Sequence, residues 1–390
     1  MSSMVWRVAF PVQVSAGALM ILLAWATGLP SNPVLTAALL AGTPIIMIAS
    51  GRFADFRFAP ADALFGLFLC AAMISIAING MPPSRDGALF ALSLLTYPAG
   101  RLAPVGTPLR AFLIATAAIV GIGTAVVGWT LVEQWNDPHG RPVVLGLVHT
   151  QTVFLTSLGF LLFAIICLDD IRRPFTAAVA TAPALIIFAA SQVRFTFLAI
   201  AGALSVGWLV TRRRQPVLTV LGIVIGCLVV GLAVRPHTSG VFLHYIISSA
   251  DAAERLRDPP AGECGEYDNS VAIRKTLLRH AAQMVPSAGL FGHGISSSEQ
   301  ASCFKTYPHN TPLQALVELG WVGGVLLVLL VGAALHRLWP IARKMPEAAF
   351  VLCCLSYAVM LDMAHGQLSN EGLLFFFTGY AVRLGERHAH

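Results

Sequence analysis

The sequence predicts an all-α polytopic membrane protein with about twelve transmembrane helices and one long, partly helical loop between spans nine and ten. Of its 390 residues, 56% are hydrophobic and only 11% are charged, whereas soluble proteins average about 25% charged residues. The apolar residues form runs, many close to the roughly 20 residues that a helix needs to cross a bilayer. Only one polar stretch, residues 235–311, is long. These features exclude an ordinary soluble enzyme.

Apolar runs between charged breaks define the predicted spans. They cover residues 8–27, 33–50, 61–79, 87–99, 108–129, 147–168, 175–190, 195–211, 216–234, 313–335, 348–364 and 371–382. We therefore divide the chain into spans one to nine (1–234), a loop (235–311) and spans ten to twelve (312–390). The first run ends at Gly28-Leu29-Pro30 rather than at a small-residue cleavage site, so we expect it to be retained.

The distribution of Lys and Arg predicts the orientation. Most of these residues lie in one set of alternate loops, and the short loops of the other set carry only Arg85, Arg141 and Arg194. By the positive-inside rule, both termini are cytoplasmic and the long loop is periplasmic. The net charge of +6 is spread over short loops. It therefore fits contact with membrane lipids and does not indicate nucleic-acid binding.

The seven cysteines fall into two groups. Five lie in apolar runs, where we expect packing roles: Cys70, Cys167, Cys227, Cys353 and Cys354. Cys264 and Cys303 both lie in the long loop. If that loop is periplasmic, the two thiols can form a disulfide, but the sequence does not supply the geometry.

The segment from Tyr307 to Gly323 is the most informative stretch of the chain. Thr311 and Gln314 have the spacing of a capping box, and Pro312 falls at the first helical position. A helix is therefore predicted from Pro312, and its apolar part, 313–335, is the tenth span. His309 precedes the helix, whose positive N-terminus disfavours imidazolium. A neutral imidazole can accept a proton; the alternative is a loop histidine that only supports the cap.

His309 and Asn310 are followed by nine residues and then by Gly320-x-x-Gly323. This pattern resembles that of the O-antigen ligase and polymerase group of bacterial integral-membrane glycosyltransferases, and the resemblance extends to the glycine-rich turn Gly289–Gly294. It implies transfer of a glycan from a polyprenyl diphosphate. His309 would be the general base, with Asn310 as an accessory residue.

Arg274 is a candidate anion-binding residue. Residues 269–284 have helical periodicity, and Arg274 lies at the centre of the apolar face, whereas Lys275 and Arg279 project to its flank. An arginine in that position needs an anion or a carboxylate. The sequence leaves open a salt bridge, for example to Glu266 or Asp268, or a phosphate held by the guanidinium fork.

Arg194 lies in a short outer turn, where cations are rare, and either snorkels to lipid headgroups or binds an anion. The resemblance implies that Arg194 and Arg274 bind the donor diphosphate.

Arg141 and His149 mark a third outward site, which either lines the acceptor cavity or has core and capping roles. Asp362 and His365 are spaced to pair within one helical turn.

The sequence contains neither a Walker loop nor a GxGxxG loop, and we find no carboxylates placed on the outer face near His309. We therefore expect no metal and no cofactor. With the resemblance, the prediction is an inverting, metal-independent glycosyltransferase of the bacterial inner membrane. It would transfer O-antigen polysaccharide from undecaprenyl diphosphate to lipid A-core at the periplasmic face. The alternatives are an O-antigen polymerase, a protein O-glycosylation ligase, a polysaccharide transporter or flippase, and an assembly scaffold.

Overall fold

A computed structural model of the chain describes residues 2–27, 33–51, 53, 56–104, 109–135, 142–146, 150–167, 174–191, 194–211, 214–235 and 270–387. Most of these residues are helical, and no β-strand occurs among them, which confirms the all-α prediction. The helices in chain order are α1 Ser2–Val14, α2 Ala16–Ala26, α3 Pro33–Ala49, α4 Pro60–Asn79, α5 Ser84–Arg101, α6 Leu109–Glu133, α7 Thr150–Cys167, α8 Pro174–Ala180, α9 Ala182–Ala190, α10 Arg194–Val210, α11 Arg214–Val234, α12 Ser270–Met284, α13 Ser297–Ala301, α14 Thr311–Glu318, α15 Gly320–Ala342, α16 Pro346–Asp362 and α17 Gly372–Arg387. Two 3₁₀ turns, Val285–Ser287 and Leu368–Asn370, lie between them.

Long apolar helices make the chain a multi-pass membrane protein. Within the described residues, five helices are long and apolar enough to cross a bilayer, namely α4, α6, α7, α11 and α15. A sixth span results if α1 and α2 are one segment. The number twelve therefore remains a prediction.

Two predicted spans are broken. The helix axis bends by 79° between α1 and α2. The bend falls at Ser15, whose ψ of 12° is far from the helical value of about −42°. The seventh predicted span divides into α8 and α9 at Thr181, ahead of Pro183. Proline has no N–H to continue the preceding helix, so this break has a local cause.

The chain forms two compact units, each built from separate stretches of sequence. One comprises Met1–Arg52, Leu102–Ala252 and Trp339–Tyr357; the other comprises Phe53–Arg101, Ala253–Leu338 and Ala358–His390. We call them the α7 unit and the His309 unit. In the α7 unit, the central helix α7 has 83% of its residues buried. Cys167, Cys353 and Cys354 are buried there, as predicted for packing residues, whereas Cys70 of the His309 unit is exposed on α4.

In the His309 unit, α5 and α17 pack with their backbones in contact. A Cβ atom on Gly100 would meet the Phe376 carbonyl, and one on Gly379 would meet the Tyr97 carbonyl. At the end of this pair, Arg101 forms salt bridges of 2.6 Å to Asp62 and 2.7 Å to Glu386 and is only 1% exposed. Arg101 is therefore a buried helical residue whose charge is compensated by two carboxylates.

Candidate functional site

The helix that follows His309 begins one residue earlier than predicted. Its N-cap is Asn310, whose side-chain Oδ1 accepts a hydrogen bond of 3.0 Å from the Leu313 N–H. The predicted capping box of Thr311 and Gln314 is therefore wrong. The Thr311 hydroxyl instead donates to Glu371 at 2.5 Å, and Gln314 Nε2 donates to Glu318 at 2.9 Å. Thr311 thus has a partner 60 residues away instead of the local one that the spacing indicated, whereas Gln314 bonds Glu318 one turn further along the helix.

His309 has a backbone conformation that few non-glycine residues adopt. Its φ is +56°, in the left-handed region, and its side chain is half-buried. A non-glycine residue in this conformation lowers the folding stability by about 1–3 kcal/mol and persists where the surrounding structure holds it. Here the buried Pro308 precedes it, Asn310 follows as the cap, and the Tyr307 ring packs edge-on against the imidazole at 4.7 Å. The residue proposed from the sequence as the base is thus one of four described non-glycine residues with a positive φ, the others being Leu145, Ser296 and Lys305.

Gly320 contacts the glycine-rich turn closely, and neither Gly320 nor Gly292 has room for a Cβ atom. The predicted helix from Pro312 to Leu335 breaks at Leu319, because Gly320 has a φ of +72°. There α14 ends and the span α15 begins. A Cβ atom on Gly320 would collide with the Leu290 carbonyl, and one on Gly292 would collide with the Glu318 carbonyl. Tertiary contact, rather than local helix propensity, therefore fixes this break.

Backbone hydrogen bonds fasten the glycine-rich turn along the break between α14 and α15. The donors and acceptors are His293 N to Val317 O (2.9 Å), Gly294 N to Glu318 O (3.0 Å), Trp321 N to Gly289 O (3.0 Å) and Val322 N to Leu290 O (3.1 Å). The two sequence features that carried the family resemblance thus form one structural element, which fixes the end of α14 opposite to His309.

Glu318 is a fully buried carboxyl group at the end of α14. It accepts hydrogen bonds from Ser298 Oγ (2.5 Å) and Gln314 Nε2 (2.9 Å). Burial raises the pKa of Glu318 to about 7, although these hydrogen bonds act in the opposite direction. Because Ser298 belongs to α13, Glu318 ties that short helix to α14. The sequence reading missed this group, since it lay within an apolar run.

The loop between α16 and α17, residues 363–371, binds the N-terminal half of α14. Asn310 Nδ2 donates to the Met363 carbonyl (3.2 Å), and the Leu368 N–H donates to Gln314 Oε1 (2.9 Å). The carboxylate of Glu371 accepts from the Thr311 hydroxyl and from the Gln367 N–H (2.8 Å). We call this segment the 363–371 loop. The sequence indicated only a turn and a span here, because its partners lie 50 or more residues away.

Arg274 reaches the same loop. Its side chain is half-buried on α12, and Nη2 lies 3.3 Å from Nδ1 of His365. An arginine can only donate, so Nδ1 of His365 accepts and carries no proton in this contact. Lys275 and Arg279 are exposed, as their flanking position predicted. Within the His309 unit, the 363–371 loop therefore contacts both the cap after the candidate base and a candidate anion-binding residue.

Acidic groups also lie near His309, contrary to the sequence reading. Burial raises the pKa of Tyr307, and the charges of Glu299 and Glu371 raise it further. Glu371 also hydrogen-bonds with Asp362. Asp362 and His365, expected as a pair, thus each contact another residue. Among the described residues, no three His, Cys, Asp or Glu side chains are arranged to hold a metal ion.

The remaining candidates are described only in part. Arg194 begins α10 in the α7 unit, and its side chain lies outside the described part of the structure. Arg141, His149 and Cys264 also lie outside the described residues, as do Glu266 and Asp268. Cys303 is disulfide-bonded. The convergence of Arg194 with the other two candidates therefore stays a prediction, whereas His309 and Arg274 lie in one unit.

A comparison with known protein families matches the part of the chain that contains His309. Residues 177–328 match the family model described as O-Antigen ligase. The chain contains an O-antigen ligase family domain. This domain includes the glycine-rich turn, His309, Gly320 and Gly323, so the match covers the residues on which the resemblance rested. It indicates a function of the O-antigen ligase or polymerase type. No curated protein matches the chain significantly.

Proposed function

We propose that the protein is an inverting glycosyltransferase that transfers O-antigen polysaccharide from undecaprenyl diphosphate to lipid A-core. The observation that carries this proposal is the placement of His309 in the O-antigen ligase family domain. The residue is half-buried, has a left-handed backbone, and shares the 363–371 loop with Arg274.

In the proposed reaction, His309 accepts the proton of an acceptor sugar hydroxyl. The hydroxyl oxygen forms a bond to the anomeric carbon of the donor as the bond from that carbon to the diphosphate oxygen breaks. The electron pair leaves with undecaprenyl diphosphate, and one displacement inverts the anomeric centre. The positive N-terminus of α14 favours a neutral imidazole before the reaction. None of these steps uses a metal ion.

Arg274, and Arg194 by the resemblance, bind the diphosphate and neutralise the charge that develops as it leaves. The guanidinium group suits this role because its donors match phosphate oxygens in pairs. Arg274 lies on a helix that also packs against α14, the helix that follows His309. Arg274 and His309 therefore both belong to the His309 unit. Lys275 and Arg279 supply an exposed positive surface beside it.

The site faces the periplasm in this proposal, and the protein resides in the bacterial inner membrane with both termini in the cytoplasm. Lys and Arg are concentrated in the opposite set of short loops. The disulfide at Cys303 supports the same orientation, since disulfides persist in oxidising compartments. Cys303 lies six residues before His309 and so reports on the compartment of the site.

The assay that tests the proposal supplies purified protein with the undecaprenyl diphosphate-linked glycan and lipid A-core. We expect glycan joined to lipid A-core, with inverted anomeric configuration, and no such product from His309→Ala. Elongated lipid-linked glycan formed from the donor alone would instead identify an O-antigen polymerase. Glycan on an added acceptor protein, but not on lipid A-core, would identify a protein O-glycosylation ligase. Movement of the donor across vesicles without a new glycosidic bond would identify a transporter.

A further inference from the structure

The 363–371 loop contains a histidine that the proposed reaction does not use. His365 contacts Arg274, and two residues earlier Met363 accepts the hydrogen bond from Asn310, the residue after His309. The loop is thus fixed to α12 at one point and to the start of α14 at another. Arg274, the cation of the proposed reaction, lies on α12, and His309, the base, lies just before the start of α14.

We propose that His365 is a positioning residue that aims the Arg274 guanidinium at the donor diphosphate; this rests on the proposed function. The contact of 3.3 Å between Arg274 Nη2 and His365 Nδ1 occupies one edge of the guanidinium. An arginine has five N–H donors in a planar fork, so one guanidinium can bond an imidazole and phosphate oxygens at the same time. An imidazole that accepts through Nδ1 orients the fork without adding a negative charge beside it.

The loop itself has little freedom to move. The Leu368 N–H bonds Gln314, and Glu371 accepts from Thr311, so both bonds join the loop to α14. Gly366 touches this helix directly, because a Cβ atom there would collide with the Thr311 hydroxyl and the Asp362 carbonyl. His365 therefore projects from a fixed backbone, and its imidazole can hold a long, flexible arginine in one rotamer.

The test measures the dissociation constant of undecaprenyl diphosphate for purified protein in nanodiscs, together with the melting temperature. His365→Leu removes the acceptor and should weaken binding about tenfold, the effect of about 1.4 kcal/mol. His365→Asn keeps an acceptor, Oδ1, at the position of Nδ1 and should restore binding to within about threefold of wild type. Unchanged affinity in His365→Leu overturns the proposal. So does equal weakening in both variants, because the acceptor atom would then be irrelevant.

A double-mutant cycle separates positioning from general structural support. In an Arg274→Ala background, His365→Leu should weaken binding no further, because its effect passes through Arg274. A persisting tenfold effect overturns the proposal. If Arg274→Ala alone leaves affinity unchanged, the donor-binding part of the proposed function fails instead. If Arg274→Ala weakens binding and His365→Leu does not, only the positioning role is lost.

Gly366→Ala provides an independent variant should His365→Leu not fold. It leaves both side chains in place but pushes the loop away from α14, so it should also weaken binding of undecaprenyl diphosphate several-fold. The matched control is Gly332→Ala on α15, where a Cβ atom meets nothing within 4 Å. Wild-type affinity in both glycine variants would contradict the idea that the loop position matters.

Discussion

Two arginines of the His309 unit, Arg101 and Arg274, differ in burial and in the partners that they contact. Arg101 is 1% exposed and bonds two carboxylates, those of Asp62 and Glu386. Arg274 is half-buried and contacts a neutral imidazole acceptor. The Arg101 cluster is compensated within the protein and has no need of a ligand. The Arg274 site keeps exposed surface, and the contact with His365 adds no negative charge. Burial together with partner type, rather than residue type, distinguishes a structural arginine from a candidate binding residue.

The largest expected effect is on the stability of the Arg101 cluster. Arg101→Leu leaves Asp62 and Glu386 buried without their cation, and breaking a buried pair costs about 3–5 kcal/mol. We expect a large drop in melting temperature and little folded protein, measured by thermal denaturation in detergent. A melting temperature equal to that of wild type would mean that the cluster does not hold α4, α5 and α17 together.

Glu318 differs from the carboxylates of the Arg101 cluster, because it is a buried carboxyl group held by neutral donors rather than by an arginine. The raised pKa of about 7 means that the folded state binds more protons than the unfolded state, whose carboxyl pKa is near 4.5. The contribution of Glu318 to stability should therefore be greatest below pH 4.5 and fall by about 3 kcal/mol as the pH rises to 7. Glu318→Gln should remove this part of the pH dependence. Parallel wild-type and variant profiles would contradict it.

The expected effect at Arg274 is smaller and falls on binding rather than on folding. Arg274→Ala should weaken binding of undecaprenyl diphosphate by about tenfold to a hundredfold, the loss of a charge-assisted hydrogen bond. Its melting temperature should stay close to that of wild type, unlike that of Arg101→Leu. Arg343→Ala, which removes an exposed arginine just after α15, is the matched control and should change neither quantity. A stability loss as large as that of Arg101→Leu would erase the contrast between the two arginines.

Local patterns predicted the local features of this site well. The loop helix expected at residues 269–284 is found at Ser270–Met284, with Arg274 half-buried and its two basic neighbours exposed. The helix after His309 begins within one residue of the expected start. These features follow from periodicity and proline position, which depend on residues close in sequence.

The features that the sequence did not predict depend on distant partners. The break at Gly320 arises from contact with Gly292, and Arg101 is buried because Glu386 lies against it. The 363–371 loop joins the site through residues that are 53 to 91 positions away. No local pattern encodes such pairings. The family match supplied the glycine-rich turn and the histidine, but not the loop.

In the proposed reaction, His309 accepts the proton while Arg274 holds the donor. The most direct measurement is the single-turnover rate of glycan transfer by His309→Ala with saturating donor, beside its affinity for undecaprenyl diphosphate. We expect a rate lower by about 10²- to 10⁴-fold, the usual contribution of a general base, with unchanged affinity. His336→Ala, at an exposed site near the other end of α15, should transfer at the wild-type rate. Near-normal transfer by His309→Ala would show that His309 is not the general base.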